Sequence, residues 1–132
     1  MNETPINVER QKAVILCRSE SHDRSETLSQ EALAAEYAKS HGWVVERIYT
    51  EFGSVDMKDR TSLRDFRRMA INRDFNMLIF TCLDIFGCVP DEVTEEVRFL
   101  TDNGIKIISL QEGEITTESL PNIFRKGFRL VK

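Results

Sequence analysis

The residues best suited to chemistry lie directly after the first apolar run of the chain. Residues 13–17 (AVILC) are apolar, and Arg18, Ser19, Glu20 and Ser21 follow them at the start of a polar loop. Arginine forms paired, charge-assisted hydrogen bonds to phosphate oxygens, and an activated serine hydroxyl is a nucleophile. The loop after a buried parallel strand is a common place for such groups in α/β folds. The sequence therefore predicts a site for anionic chemistry at this loop.

Alternating strand and helix patterns must position this loop. Four apolar runs suit buried parallel strands, and capped helical segments lie between them. The order predicts an α/β fold of three layers, with a mostly parallel sheet of four to five strands and helices on both faces. The predicted strands cover residues 13–17, 43–50, 76–82 and 105–110, and the predicted helices begin at Thr27, Ser62 and Pro90.

Local patterns predict where the helices begin and end and which faces they bury. Thr27 and Gln30 have the spacing of a capping box, and Gly42 and Gly104 suit left-handed helix ends. A short helix is predicted within residues 117–125. Helical spacing of apolar residues predicts these inward faces: Leu28, Ala32, Leu33, Ala35 and Tyr37 in the first helix; Leu63, Phe66, Ala70 and Ile71 in the second; Val93, Val97 and Leu100 in the third.

The predicted strand order brings two loops together. If the first strand is central, with the second on one side and the third and fourth on the other, the chain reverses its winding between strands one and three. Ligand sites in such sheets lie at that reversal, outside the carboxyl ends of the strands. The loops Arg18–Glu26 and Leu83–Val89 are therefore expected to form one crevice.

Composition restricts the class of protein. The chain has 132 residues, 41% of them hydrophobic, which suits one domain with a core over residues 13–132 after a polar leader at residues 1–12. A net charge of −4 argues against a self-sufficient binder of duplex DNA. No apolar stretch has the length of a membrane span, and no secretion signal precedes the domain.

Three cysteines, at positions 17, 82 and 88, are an odd number without metal-ligand spacing. We expect reduced thiols in a cytoplasmic protein, with no metal and no cofactor. His22, in the polar loop, is either a base or simply solvated. His41 lies at a helix end, where an imidazolium is favoured.

The order of these landmarks resembles the N-terminal catalytic domain of the serine recombinases, the resolvase/invertase family. Arg18-Ser19-Glu20 stands at the position of the family's Arg-x-Ser, and the first helix carries a matching glutamine and Tyr-Ala pair. The later matches cover most of the chain to Ile115. They are Gln30, Tyr37-Ala38, Glu51, Gly53, Ser54, Asp59, Arg60, Leu83-Asp84, Asn103-Gly104-Ile105 and Ser109-Leu110.

The resemblance implies DNA recombination or integration by a resolvase-like domain. In this family a serine attacks a DNA phosphodiester, and arginines stabilise the anionic transition state. Carried over by position, the resemblance implies Arg18, Arg60 and Asp84 as site residues. It implies supporting roles for Gln30, Ser54 and Asp59.

Three substitutions depart from the family pattern. Glu20 occupies the nucleophile position, and Ile85 and Cys88 occupy two arginine positions after the third strand. A carboxylate is a poor nucleophile for this step and repels phosphate. We therefore expect a catalytically inactive or accessory domain, a pseudoenzyme. It would act through protein contacts, either as a homo-oligomer or paired with a related recombinase.

Alternatives remain open at this stage. Ser21 is a possible substitute nucleophile, with DNA contacts supplied by another chain. Arg18 and Arg60 are either a site for a small anion or ion-pair partners of Glu20, Glu51, Asp59 or Asp84.

Two further expectations concern surfaces. The chain ends at Lys132, without the long helix and DNA-binding region of active relatives, and its last ten residues carry four basic side chains. We therefore expect DNA binding to be weak and salt-sensitive at most. Ile85, Phe86 and Val89 form an exposed apolar patch or turn inward.

Overall fold

A computed structural model of the protein describes residues 11–22, 24–53 and 60–126. Strands and helices alternate through these residues, and a short antiparallel hairpin follows near the end. The elements are β1 (Lys12–Ser19), α1 (Arg24–Ser40), β2 (Val44–Phe52), α2 (Thr61–Ile71), β3 (Met77–Phe80), α3 (Leu83–Phe86), α4 (Pro90–Asp102), β4 (Lys106–Ser109), β5 (Gly113–Ile115) and α5 (Leu120–Arg125).

The five strands form one sheet in the order β2-β1-β3-β4-β5. β1 pairs in parallel with β2 and β3, β3 pairs in parallel with β4, and β5 is antiparallel to β4. The predicted α/β fold, with a central first strand and a mostly parallel sheet, is confirmed. The predicted crevice at the carboxyl ends of β1 and β3 follows from this order.

Helices cover the two faces of the sheet. The larger core cluster packs α2 and α4 against one face, with Phe66, Phe80 and Leu100 fully buried. The smaller cluster packs Ala34 and Ala38 of α1 against the other face. β1 supplies both clusters because its successive side chains alternate between the faces, so it is buried from Ala13 to Ser19.

Two helices end as predicted at glycines with positive φ. Gly42 has φ +75° and Gly104 has φ +86°, a region that costs glycine little. After α1, the Gly42 N–H donates to the carbonyl of Lys39, and the next N–H donates to that of Ala38. The end of α4 repeats this pattern, so both helices finish in the Schellman arrangement.

The predicted start of α1 is wrong, and its predicted buried face is right only at Ala35 and Tyr37, which pack partly buried against the smaller core cluster. The helix begins at Arg24, and Thr27 lies inside its first turn, where its hydroxyl donates to the Arg24 carbonyl 3.1 Å away. The side chains of Leu28 and Leu33 are 54% and 57% exposed. α1 instead buries Thr27, Gln30, Ala34 and Ala38, since small and polar side chains let it approach the sheet closely.

Several other boundaries differ from the prediction. β1 extends through Arg18 and Ser19, which were expected in the loop, and begins at Lys12, which was expected in the leader. β2 runs two residues further, to Phe52. The residues after β3 contain the short helix α3 instead of only a loop, and Ile71 of α2 is 62% exposed instead of buried.

A carboxylate from the β4–β5 turn holds the start of α3. The Oε1 atom of Glu112 accepts the N–H of Leu83 at 3.0 Å, and the Ser109 hydroxyl donates to the same oxygen. Cys82, at the N-cap position, makes no side-chain cap bond. Glu112 therefore serves as the cap from a distant part of the chain, and it links the hairpin to the crevice.

Replacing Glu112 with alanine should lower the free energy of unfolding by about 1–2 kcal/mol, because an N–H and a buried hydroxyl lose their acceptor. Urea denaturation measures the change. Glu114→Ala, in the exposed part of the same hairpin, is the matched control and should change stability by less than about 0.5 kcal/mol. Equal losses in the two variants would contradict the capping role.

Candidate functional site

The crevice lies where the end of β1, the start of α1 and the segment after β3 meet. Its volume is about 370 Å³. The sequence placed these two loops together, and the structure agrees. The lining residues are Arg18, Glu20, Ser21, Glu26, Gln30, Cys82, Asp84 and Ile85.

Glu51, near the end of β2, joins both candidate arginines. Its Oε1 accepts from Arg18 Nη1 at 2.9 Å and from Arg60 at 2.8 and 3.0 Å. The hydroxyl of Ser62 donates to Oε2. Both arginine side chains are more than nine-tenths buried. Glu51, one of the carboxylates considered from sequence, pairs with both arginines, and Ser62 binds it instead of capping α2.

Arg60 also holds the segment after β3. Its Nη1 donates to the carbonyl of Phe86, and its Nη2 donates to that of Ile85 at 3.1 Å. Burial lowers the pKa of Arg60, and the adjacent Glu51 carboxylate opposes that shift. The guanidinium is therefore engaged on both sides, by a carboxylate and by the end of α3.

Gln30 bonds the backbone of β1 at Arg18, past the last residue of β1 that pairs with β3. β3 pairs with β1 only at Ala13–Ile15. Further along, the Arg18 N–H donates to Gln30 Oε1 at 2.8 Å, and Gln30 Nε2 donates to the Arg18 carbonyl at 2.9 Å. The buried amide thus bonds β1 as a neighbouring strand would. Gln30 is not a capping-box partner of Thr27.

The nucleophile position lies at the mouth of the crevice. Glu20 is exposed, whereas Ser19 before it is buried. The Ser19 hydroxyl donates to Glu26 Oε1 at 2.9 Å and lies 3.2 Å from the hydroxyl of Ser21. A hydrogen-bonded series therefore runs from Ser21 through Ser19 to Glu26, a lining residue that the sequence did not single out.

The charges around the crevice are mostly negative. Of its described lining residues, Arg18 is the one cation, while Glu20, Glu26 and Asp84 are carboxylates. Arg18 is itself paired with Glu51. A phosphate entering this space would meet more negative than positive charge.

The segment after β3 turns its apolar residues inward. Ile85 is 6% exposed and Phe86 is fully buried against Phe80, with their rings 5.4 Å apart. The exposed apolar patch considered from sequence is therefore absent at Ile85 and Phe86. The aliphatic residue at the first arginine position supplies core packing instead of charge.

Two of the three cysteines have raised pKa values. Burial raises the pKa of Cys17 to about 12, with Glu31 adding to the shift. Burial and a 2.7 Å hydrogen bond to Asp84 raise the pKa of Cys82 to about 12. All three cysteines are free, and within the described ranges no group of three or more His, Cys, Asp or Glu could hold a metal ion.

Both histidines pack against rings. His22, at φ +59°, stacks on Phe52 with ring centroids 5.5 Å apart. His41 stacks between Tyr37 and Trp43, and its Nδ1 lies 2.9 Å from the Tyr37 carbonyl, so its structural role at the helix end is supported.

Two predicted supporting residues, Ser54 and Asp59, lie outside the described residues. The described helices include none that is both long and apolar enough to cross a membrane.

The chain matches one family model. Residues 13–128 match the family described as "Resolvase, N terminal domain". Curated protein sequences give no significant match.

Solved structures share the fold. The N-terminal catalytic domain of TP901-1 integrase is 24% identical over 88% of this chain and 95% of its own, with a TM-score of 0.72. The C-terminal catalytic domain of ISC1926 TnpA, an IS607-like serine recombinase, is 19% identical over 87% and 77%, with a TM-score of 0.69. A resolvase family site-specific recombinase from Streptococcus pneumoniae is 12% identical over 89% and 87%, also at 0.69.

Gln30→Leu keeps the side-chain volume but removes both bonds to Arg18. The free energy of unfolding should fall by about 2–3 kcal/mol, because a buried N–H and C=O lose their partners. Urea denaturation measures this loss. The control is Gln111→Leu at an exposed position, which should stay within about 0.5 kcal/mol of the wild type. A similarly small change in Gln30→Leu would contradict the strand-like role.

Cys17 and Cys82 should resist alkylation in the folded protein. A pKa near 12 instead of 9.0 leaves roughly a thousandfold less thiolate at about pH 8.5. Because the unfolded thiols lose protons first, their contribution to stability should fall as the pH rises from about 9 towards 12. Iodoacetamide labelling followed by peptide mass spectrometry, with and without denaturant, measures the rates. Equal rates in both conditions would contradict the prediction.

Proposed function

This chain belongs to the resolvase N-terminal domain family, and we propose that it is a member that does not cut DNA and acts through protein contacts. The fold is that of the family, whereas the side chains of the crevice depart from the family pattern. The departures lie after β1 and after β3, where the family resemblance places the nucleophile and two arginines.

The charge of the crevice is the observation that carries the proposal. Among the described residues that line it, three are carboxylates, Glu20, Glu26 and Asp84, and one is an arginine. A second negative charge about 5 Å from a carboxylate costs roughly 3 kcal/mol at an effective dielectric constant of about 20. The transition state of phosphoryl transfer is more anionic than its substrate, so this environment opposes the reaction.

The arrangement of Arg18 and Arg60 supports the same conclusion. Both guanidinium groups are buried on Glu51, and Arg60 also bonds two backbone carbonyls. These bonds use most of the donors of Arg60, and the Glu51 carboxylate offsets the positive charge of both groups, which weakens their attraction for an anion. Loss of one such donor commonly lowers a rate by about 10²–10³. The same engagement disfavours a small-anion site at this pair.

A domain of this fold that does not cut DNA can still act by binding another protein. The partner would be a second copy of the chain or a related recombinase, and similar structures include catalytic domains named as serine recombinases. We propose that any DNA binding is weak and salt-sensitive, since the net charge of the chain is −4.

One observation favours a second candidate, a weakly active domain that uses Ser21. Its hydroxyl lies 3.2 Å from that of Ser19, which is bonded to the Glu26 carboxylate. A carboxylate at the end of such a series can accept a proton released by a nucleophilic serine. In this candidate, DNA contacts come from another chain.

A covalent-adduct assay tests the proposal. The chain is incubated with a pool of nicked duplexes of randomised sequence, and denaturing gels are examined for protein linked to DNA through phosphoserine. We expect no adduct, because the crevice has neither the family nucleophile nor its full set of arginines.

Two variants make the assay decisive. An adduct in the wild type that disappears in Ser21→Ala and persists in Ser25→Ala, an exposed serine one turn further along, would overturn the non-cutting proposal and establish Ser21 as the nucleophile.

A further inference from the structure

The solvent side of α2 is a basic ridge. Arg64 and Arg68 are exposed one turn apart, and like charges at this spacing disfavour a helix unless other charges compensate. Asp65 is 3.3 Å from Arg68, whereas Arg64 forms no ion pair with any described residue. We call Arg64 and Arg68 the basic ridge.

The solvent side of α4 is an acidic ridge. Asp91, Glu95 and Asp102 are exposed at helical spacing, with Arg98 as the one cation among them. None of these three carboxylates forms an ion pair within the described part of the chain. We call Asp91, Glu95 and Asp102 the acidic ridge. This surface is separate from the crevice on which the proposed function rests.

The two ridges lie side by side on one face of the sheet. Arg67 of α2 bonds Glu96 of α4 at 2.8 Å and lies over the ring of Phe99 at 4.3 Å. α2 and α4 each connect two parallel strands, so the two helices run in the same direction, opposite to the strands. The contact therefore places residue 67 of α2 at the same height along the helices as residue 96 of α4. Arg64 is therefore level with residue 93, between Asp91 and Glu95, and Arg68 is level with residue 97, between Glu95 and Arg98.

Apolar surface lies along the seam between the ridges. Ile71 is 62% exposed and follows Arg67 by one turn on the same side of α2. Phe99 is half-buried beneath Arg67. A partner that covers both ridges would also bury Ile71.

We infer that this face binds the same face of a second copy, with the basic ridge of each copy against the acidic ridge of the other. If the twofold axis lies in the contact plane and runs parallel to the helices, α2 of each copy faces α4 of the other, so the interface contains two equivalent α2–α4 contacts. An axis perpendicular to the helices would instead oppose α2 to α2 and α4 to α4. The charges therefore select the first axis. The inference specifies the partner in the proposed function.

The size of the face predicts weak association. α2 has 11 residues and α4 has 13, so the helices are about 16 and 20 Å long. Two helices about 10 Å apart offer roughly 400 Å² per copy, or roughly 800 Å² in total, which is below the roughly 1,000 Å² of a stable specific interface and is the size of a weak, transient contact. Exposed charge pairs of this kind weaken with added salt.

Charge-reversal variants test the pairing by sedimentation equilibrium at low ionic strength. Arg64→Glu/Arg68→Glu makes both ridges acidic, and Asp91→Lys/Glu95→Lys makes both basic. Each double variant should raise the dimer dissociation constant by about tenfold or more. An equimolar mixture of the two should form heterodimers with a dissociation constant within about threefold of the wild-type value.

Matched controls alter the net charge equally elsewhere. Arg24→Glu/Lys39→Glu on α1 and Glu36→Lys/Glu46→Lys on α1 and β2 change exposed residues away from the ridges. Both controls should associate as the wild type does. Circular dichroism and thermal melting establish that every variant is folded.

Three results would overturn the inference. They are a wild type that stays monomeric at about 500 µM, double variants that associate like their controls, and a mixture that fails to restore pairing. Sedimentation measures association and the adduct assay measures cutting. A monomer that forms no adduct contradicts only this inference, and a dimer that cuts DNA through Ser21 contradicts only the non-cutting proposal.

Discussion

The buried ion cluster around Glu51 is the interaction on which the site geometry depends. One carboxylate accepts hydrogen bonds from Arg18 of β1, from Arg60 before α2, and from Ser62 within α2. Arg60 extends the network to the carbonyls at the end of α3. Removing one partner from a buried ion pair leaves an uncompensated charge and commonly costs 3–5 kcal/mol. The charges of Arg18 and Arg60 therefore hold together the elements that surround the crevice.

The arrangement of the sheet followed from local patterns. β1 is a continuous apolar run, so it is central and buried on both faces. Gly42 and Gly104 ended helices as expected because their spacing and conformational freedom are local properties. Pro90 likewise begins α4. The meeting of two loops at one crevice needed only the strand order, which alternating elements and right-handed crossovers restrict strongly.

The parts that sequence patterns missed depend on partners far apart in the chain. The spacing of Gln30 from Thr27 suggested a helix cap. Instead, β1 extends past its last pairing with β3, and Gln30 bonds the backbone groups of Arg18 that β3 does not reach. Glu112 caps α3 from 29 residues away, which no local spacing reveals. Leu28 and Leu33 have apolar character, yet α1 buries small residues because it packs close to the sheet. Glu51 was one of four candidate carboxylates, and its pairing with both arginines depends on the packing of β2 beside β1 and α2.

The net charge of the chain does not predict what each part of its surface binds, because positive and negative side chains are grouped in different places. The overall value of −4 disfavours binding to duplex DNA but does not say where the charges lie. The crevice concentrates carboxylates, whereas Arg64 and Arg68 concentrate positive charge on α2, beside the acidic ridge of α4. Local fields act over about a Debye length, roughly 8–10 Å at moderate salt, so each surface acts by its own sign. The acidic crevice disfavours phosphate independently of the ridges. In the dimer proposed above, adjacent ridges of opposite sign would favour a partner with the same pattern over a uniformly negative polymer.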